Sequence, residues 1–425
     1  MKILSLTLFL ALLSSTAVNA ANPKHIQRLL ETRKCEKCNL KNAKLRGFYL
    51  RQVNLKGANL QGADLNGADL KGAFLRDTNL VDADLRNANL ENANLENAKL
   101  DRVKLHNTVV NDRTVLAKKW QRIFSIVNQK VTNLDRKNTD FMQTDLSGAN
   151  FDDVDLRNYD FTGVNLQGAS LEGALLSKTN FENANLKDSS LFLSDIRHSN
   201  FQKVNLEKAT LQAADLRGAN FNQTNLFKAN LNQTYLEGTQ LINSNLNKAQ
   251  IATSYLQNTN LEKAKLDNTN FFNTDLRGAN LNNVGLKKAD LTGANISTAI
   301  LSNSQMDKIK LGGANLTSVN LKGADLSNLN LNNTDLSGNN LSNANLSGTK
   351  LKAANLKGVN LSNANLFQAD LSGADLTNAN LSNVDLTRAN LRNANLKGAT
   401  LSGIKLNFTN LCGATMPNNT QIKCE

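Results

Sequence analysis

Proline is nearly absent from this chain: Pro23 and Pro417 are the only two in 425 residues. Aromatic residues make up 5%, with a single tryptophan, and there are three histidines, His25, His106 and His198, far apart along the chain. So few rings exclude an aromatic-rich core of the usual globular kind, and three scattered imidazoles exclude a histidine-built metal cluster. After the first twenty residues no stretch has the roughly 18 uninterrupted apolar residues of a membrane-spanning helix. No catalytic triad, phosphate loop or metal-ligand cluster is visible, so no catalytic, cofactor or metal residue is assigned and no cofactor is expected.

The chain opens MKILSLTLFLALLSSTAVNAANPK. Lys2, an apolar run from Ile3 to Leu13 and small residues ending in Val18-Asn19-Ala20 read as a signal peptide cut after Ala20. The expected localisation is therefore exported, periplasmic or secreted. Four cysteines, Cys35, Cys38, Cys412 and Cys424, suit an oxidising compartment. They allow three pairings. The formal charge of +13 suggests anionic neighbours such as cell-surface polymers, although charge alone speaks to encounter and solubility.

What the chain has in abundance is a period of five. Every fifth residue from Leu40 to Leu105 is leucine, fourteen in a row, and every fifth from Phe141 to Met416 is Leu, Phe, Ile or Met, fifty-six in a row. Two positions earlier stands Ala, Thr, Ser or Val, and one position earlier mostly Asn or Asp. A period of five fits neither the 3.6 of a helix nor the 2.0 of a strand. It fits a short extended segment, a turn, and repetition, with the large apolar residue and the small one pointing inward. Phe141, Phe161, Phe181, Phe201 and Phe221 recur every twenty residues, as do Tyr235 and Tyr255. Rings stack best on rings in successive layers, so four pentads should close one coil.

The run "GADLNGADLKGAFL" closely resembles the pentapeptide-repeat family, A(D/N)LXX in consensus, over about 350 residues. The resemblance implies an all-β solenoid, a right-handed quadrilateral β-helix filled by the Leu or Phe and the small residue. Each buried centre should contribute roughly 1.5–3 kcal/mol, offset by the ordering of its pentad, so a lone coil would not persist. At about 4.8 Å per coil the longer block should run roughly 65 Å. Some members of the family resemble DNA and act on topoisomerases; that role needs an acidic surface and a cytoplasmic address, and this sequence offers neither.

Solenoid ends need covering. "NPKHIQRLLETRK" fits an N-terminal capping helix, with Asn22 as N-cap, Pro23 at the first position and Ile26, Leu29 and Leu30 as its apolar stripe. "CGATMPNNTQIKCE" fits the other cap. Between Leu105 and Phe141 the register slips by one, and Leu116, Trp120, Ile123, Phe124, Val127 and Val131 mark one interrupting amphipathic helix. Asn111 or Asp112 would start it, and Arg113, Lys118, Lys119, Arg122 and Lys130 give it a basic side. Three readings of it stand open: a helix laid over the coils, a partner helix through Trp120, Ile123, Phe124 and Val127, or a membrane-surface helix. The expected organisation is signal peptide 1–20, cap helix and CxxC 21–38, first block 39–110, helical insertion 111–138, second block 139–411 and C-terminal cap 412–425.

Arg157, Arg197, Arg217 and Arg277, with Lys357 and Lys397, fall on one face in the twenty-residue register. This is the candidate polyanion-binding face. Asp155, Asp195, Asp215 and Asp275 stand two residues before the arginines, so a self-neutralised ladder is the competing reading. Exposed Phe192, Phe227, Phe272 and Phe367 form no single patch, though Phe192 and Phe272 share a face.

Cys38 occupies the small inward position and Cys35 the central one, beneath the expected cap helix, while Cys412 and Cys424 lie in the opposite cap. Four thiols so placed cannot share one zinc within a monomer unless the blocks fold back. A disulfide within each cap is expected, with reduced core thiols the alternative for the CxxC pair. The expectation for the whole is a non-enzymatic scaffold with a structural or protein-interaction role in the cell envelope. The alternative is a module that binds anionic envelope polymers, polysaccharide or lipopolysaccharide. The partner is thus an unknown protein or an anionic polymer, with no nucleic acid expected; oligomeric state is not legible.

Overall fold

Five-residue periodicity becomes structure through a turn that recurs at every pentad. In the computed structural model, which describes residues 21–128, 134, 140–142 and 144–424, the carbonyl of the central residue in most pentads accepts from the N–H three residues on, as in Ala58 to Leu55 (2.9 Å). The residue before that donor sits at positive φ, between 52° and 75° throughout the coils, as at Gly57 and Asn87. Glycine and asparagine tolerate that left-handed conformation best, which explains why they fill so many of these positions. The signal-peptide reading of residues 1–20 lies outside the described residues.

The residue before each centre pairs in parallel with its counterpart one coil later. Asn59 pairs with Asn79, Asn79 with Lys99, and in the later coils Asn200 with Asn220 and Asn220 with Gln240. The step of twenty confirms four pentads per coil and makes the fold a β-solenoid. Leu60 and most of its equivalents point inward and are buried, as are Ala58 and most of its equivalents; among the exceptions, near the C-terminal end, Leu401 and Leu411 are half-buried and Leu406 is exposed. Where the small residue is Thr or Ser, its hydroxyl donates to a core carbonyl: Thr224 to Phe201 (2.6 Å), Ser189 to Leu186 (2.7 Å). Those bonds remove the cost of burying a polar atom.

The Asn or Asp side chains form a second layer of order. Each Oδ1 accepts from the backbone N–H two residues on, and many amides also donate to the residue twenty before, as in Asn225 to Asn205 (3.0 Å) and Asn245 to Asn225 (3.0 Å). This accounts for the A(D/N)L grammar: the polar residue fixes the turn and ties it to the coil below.

The chain divides into two compact units, one of residues up to Val154 with Asp160–Ser170, the other Asp155–Tyr159 with Leu171–Glu425. The first unit carries α1, Pro23–Thr32, and α2, Lys118–Asn128. Asn22 caps α1, its Oδ1 accepting from Lys24 N–H at 3.0 Å, and Pro23 opens it. Ile26 and Leu29 are buried, and Leu30 is half-buried. Where an earlier coil would bond Asn39, α1 does so instead: His25 Nδ1 accepts from Asn39 N–H (2.9 Å) and Asn22 N–H donates to Asn39 carbonyl (3.1 Å).

The interruption differs from the sequence expectation at its start. The coils run on past 110 to Val115, which pairs with Asn94, a step of twenty-one that absorbs the register slip. Asn111 Oδ1 accepts from Asn92 N–H (3.1 Å), replacing a coil carbonyl. Asn111 and Asp112 therefore belong to an enlarged turn and do not cap α2, which begins seven residues later with Ala117 carbonyl accepting from Gln121 N–H. Leu116 precedes the helix, and Lys130 and Val131, assigned to it from sequence, lie outside the described residues. Within the same unit the second block meets the first: a Cβ built on Gly148 would lie 3.3 Å from His106 Nδ1.

In the second unit the C-terminal residues fold back, Thr415 pairing antiparallel with Gln421 and Gly413 N–H donating to Ile422 carbonyl (2.8 Å). Cys412 is bonded to Cys424 in that hairpin, and in the first unit Cys35 is bonded to Cys38 beneath α1.

Candidate functional site

The arginine face is built by the Asx turn. Asp195 Oδ1 accepts from Arg197 N–H (3.2 Å), which aims the carboxylate along the strand toward the side chain that follows. Arg197 Nε and NH2 then close a two-pronged contact on that carboxylate at 2.8 and 2.9 Å. Arg157 with Asp155, Arg217 with Asp215 and Arg277 with Asp275 repeat it at 2.6–2.9 Å. Arg197 also comes within 3.6 Å of Asp215 one coil on.

The hydrogen bond to Asp195 raises the pKa of Arg197, and the same bond holds the Asp195 carboxyl below its usual range. At Asp275 burial pushes the carboxyl up, but bonds from Arg277 side chain and backbone outweigh it and the net shift is downward. Lys357 pairs with Asp375 at 3.2 Å, while Lys397 has no carboxylate within ion-pair distance among the described residues. All four arginines are thus spoken for by an adjacent carboxylate, and the face offers an incoming polyanion pairs to break more than free guanidinium groups.

Two pairs that sequence reading passed over follow the same logic in the first unit: Arg86 with Asp84 (2.6 Å), the same Asp-Leu-Arg triplet, and Arg102 with Asp82 one coil earlier (2.7 Å). The triplet was legible at Asp84-Leu85-Arg86; the second pair needed the twenty-residue register.

The four residues proposed for a partner helix are brought together by α2 and buried: Trp120, Ile123, Phe124 and Val127 all face the chain itself, joined by Ile126. Buried in this way they are not open to a partner in this structure, and no apolar stripe of α2 is left uncovered among its described residues. The helix periodicity was right, but it marked an internal contact.

A cavity of about 710 Å³ lies between α2 and the enlarged turn, lined by Asn107, Asn111, Asp112, Thr114, Gln121 and Asn128 among others. Among the described residues Asp112 is the only titratable group lining it, and no second one stands beside it as a paired acid or base. The histidines lie apart: His25 accepts from Asn39 N–H, His106 lies beside Gly148, and His198 crowds Gly218, where a Cβ would come within 2.7 Å of its ring. Among the described residues no three His, Cys, Asp or Glu are placed to hold a metal, and no helix is long and apolar enough to cross a membrane.

Of the exposed rings, Tyr235 and Tyr255 stack on the outer surface at 5.3 Å with planes 7° apart, in the column that elsewhere carries the paired aspartates. Phe272 is exposed, and Phe192, Phe227 and Phe367 are half-buried.

Sequence profiles match the repeats directly. The profile described as pentapeptide repeats (8 copies) matches residues 34–72, 78–110 and, in overlapping copies, 220 to 418; that described as pentapeptide repeat region matches 135–211. No curated protein sequence matches the chain. Among solved structures, HetL, a pentapeptide repeat protein involved in heterocyst differentiation regulation in the cyanobacterium Nostoc, is 27% identical, covering 65% of this chain and 92% of HetL, with a TM-score of 0.30. A pentapeptide repeat protein of the Arabidopsis thaliana thylakoid lumen is 36% identical over 21% of this chain and 65% of its own, with a TM-score of 0.15. QnrB1, a plasmid-mediated fluoroquinolone resistance protein, is 18% identical over 52% of this chain and 88% of its own, at 0.17.

Proposed function

The chain belongs to the pentapeptide-repeat family, and on that premise we propose that it is an exported, non-enzymatic scaffold of the cell envelope, periplasmic or secreted, that presents flat polar faces to protein partners. One observation carries the reading: turn after turn is closed by its own Asn or Asp, without loop insertions between Phe151 and Leu411, so outward side chains stand on ordered ladders and not around a concave reaction site. In this reading the coils wind right-handed with a square section, α1 and the C-terminal hairpin serve as caps, and α2 shields the coils where the register slips. Bonds from His25 and Asn22 to Asn39 support the first cap, and the return of residues 413–422 supports the second.

The formal charge of +13 favours anionic surroundings and weighs against a DNA-like surface. Two disulfides favour an oxidising compartment. The test has two arms. N-terminal sequencing of the protein from a fractionated native cell should begin at Ala21 in the envelope or medium; a Met1 terminus in the cytoplasm would overturn export. Crosslinking in the same fraction should retrieve a defined protein, and turnover of an envelope substrate by the purified chain would overturn the non-enzymatic reading.

A further inference from the structure

The left-handed position of each pentad is where Gly and Asn cost least and where a long side chain gains nothing from the turn. In one column of these turns lysine recurs: Lys208, Lys228, Lys248, then Asn268, then Lys288 and Lys308, all at φ between 57° and 62° and all exposed. The other three turn columns of the same coils hold two lysines, Lys203 and Lys263, among Gly, Asn, Gln, Ala, Thr and Ser. Lysine is therefore placed in register on one edge against the conformational preference of the site.

Lys208 apart, these ammonium groups differ from the arginine face in having no ion-pair partner among the described residues. Among the described residues no carboxylate lies within ion-pair distance of Lys228, Lys248, Lys288 or Lys308. Glu207 is shared between Lys187 (3.1 Å) and Lys208 (3.9 Å), Asp307 faces Lys287 (3.7 Å) and Asp290 faces Lys310 (3.0 Å). Asp267 accepts from the backbone of Lys287. The Phe227 ring beside the edge is covered by Lys228 and Lys248, whose nitrogens lie 5.3 and 5.7 Å from its centroid.

We propose that the edge Lys208, Lys228, Lys248, Lys288 and Lys308 binds an extended acidic polysaccharide of the polyuronate class, one carboxylate per ammonium group. Successive turns repeat at about 4.8 Å, so the edge spans about 24 Å as a single line of charge. A uronate chain offers the matching form, one carboxylate on each sugar along a ribbon. A duplex strand carries a phosphate about every 3.4 Å, out of step with the coils. Single-stranded nucleic acid wants open aromatic platforms, and the Phe227 ring is already covered. A membrane needs a plane of positive charge, and here Glu207, Asp267, Asp290 and Asp307 flank the line. The inference goes beyond the scaffold reading and leans on export only for where such a polymer is met, which N-terminal sequencing measures separately.

The substitution that removes the charge without straining the turn is Lys to Asn, the residue already present at 268. Full-length protein carrying K228N, K248N, K288N and K308N should keep its thermal midpoint and bind polygalacturonate about tenfold or more weaker than wild type at about 0.1 M salt. R197Q/R217Q/R277Q should stay within about twofold of wild type, because those guanidinium groups are already paired. Fully methyl-esterified polygalacturonate should bind neither. If the quadruple variant loses its fold, K228N/K248N gives the same comparison with two sites removed. Unchanged binding by a folded lysine variant, equal binding of the ester, or tighter binding of polyuridylate or phosphatidylserine vesicles would each overturn the proposal.

Discussion

Phe201 and Phe221 lie one coil apart with ring centroids 4.7 Å apart and planes 6° from parallel, both fully buried. The ring spacing matches the strand repeat of about 4.8 Å, so a ring at every twentieth position fills its layer without displacing the backbone. Thr224 Oγ1, in the coil of Phe221, donates to the Phe201 carbonyl one coil earlier (2.6 Å), satisfying the polar atom beside the stack.

Truncating the middle of this stack should therefore be costly. Phe201→Ala is expected to destabilise the second unit by about 3–5 kcal/mol, since rings on either side are held by the coils and cannot collapse into the gap. Phe201→Leu restores the commonest central residue and should cost about 1.5 kcal/mol or less. Denaturant unfolding followed by circular dichroism measures both. Equal costs for Ala and Leu would show that the loss follows the ring itself and not the volume it fills.

The asparagine ladder gives a test with almost no change in size. Asn225 donates to Asn205 and accepts from Asn245, both at 3.0 Å. Asn225→Asp keeps both acceptor roles and removes the donor, leaving a carboxylate oxygen facing the amide oxygen of Asn205. A loss of about 0.5–1.5 kcal/mol is expected. Hydrogen exchange should quicken at Leu226 and Leu206, whose N–H groups bond across adjacent coils; unchanged exchange would mean that the backbone ladder alone sets the order.

Most of the fold was legible because one buried position repeats with a fixed step, and every repetition restates the same inward direction. The Phe series at 141, 161, 181, 201 and 221 disclosed the coil length for the same reason: identical rings are informative only when they stack. What the sequence concealed was local. Val115 pairs with Asn94 by way of one extra residue, and nothing in the composition of 106–117 distinguishes an enlarged turn from the first turn of a helix. Trp120 and Phe124 sit on an amphipathic stripe, and a stripe has the same period whether its cover is the chain itself or a partner. The lysine edge was visible only after φ identified the position that lysine occupies at a disadvantage.

Acid should weaken the protein over a narrow window. Asp195 is held down by Arg197, Asp82 by Arg102, Asp335 by the backbone N–H of Ser337 and Asp385 by Thr387. Each has a lower pKa folded than unfolded, where the ordinary value is about 3.9. Their contribution is therefore full above about pH 4 and is lost as pH falls through the depressed folded values. The thermal midpoint should stay level from about pH 7 to 5 and decline below about 4. A midpoint that rises on acidification would reverse the sign and exclude these pairs as the source.

The two disulfides should act at the ends of the chain. Intact mass before and after reduction should differ by four hydrogen atoms, two for each bond, and four free thiols in the native protein would refute both bonds. Cys412–Cys424 closes a loop with a sequence separation of 12, so reduction should cost about 2–4 kcal/mol. In a stacked repeat that loss is local. Hydrogen exchange should therefore rise at Gly413, Met416 and Ile422 and remain unchanged near Phe201. Uniform loss along the unit would indicate that the hairpin controls global unfolding.

A leucine supplies the last test of the turn rule. Leu193 occupies the left-handed position at φ 58° and is 57% exposed, so it gains little from burial while bearing the strain. A left-handed residue with a branched side chain costs roughly 1–2 kcal/mol, a penalty asparagine partly escapes through its own backbone contacts. Leu193→Asn should thus stabilise the second unit by about 1 kcal/mol, against the usual expectation that removing leucine destabilises. The N–H of residue 193 keeps its bond to Gln212 carbonyl (3.1 Å), so the coil ladder is untouched. Phe408, at φ 58° and 86% exposed, should respond in the same direction to Phe408→Asn. A lower denaturation midpoint in both variants would mean that these side chains cover apolar surface and that the preference for Gly and Asn in the turns is not energetic.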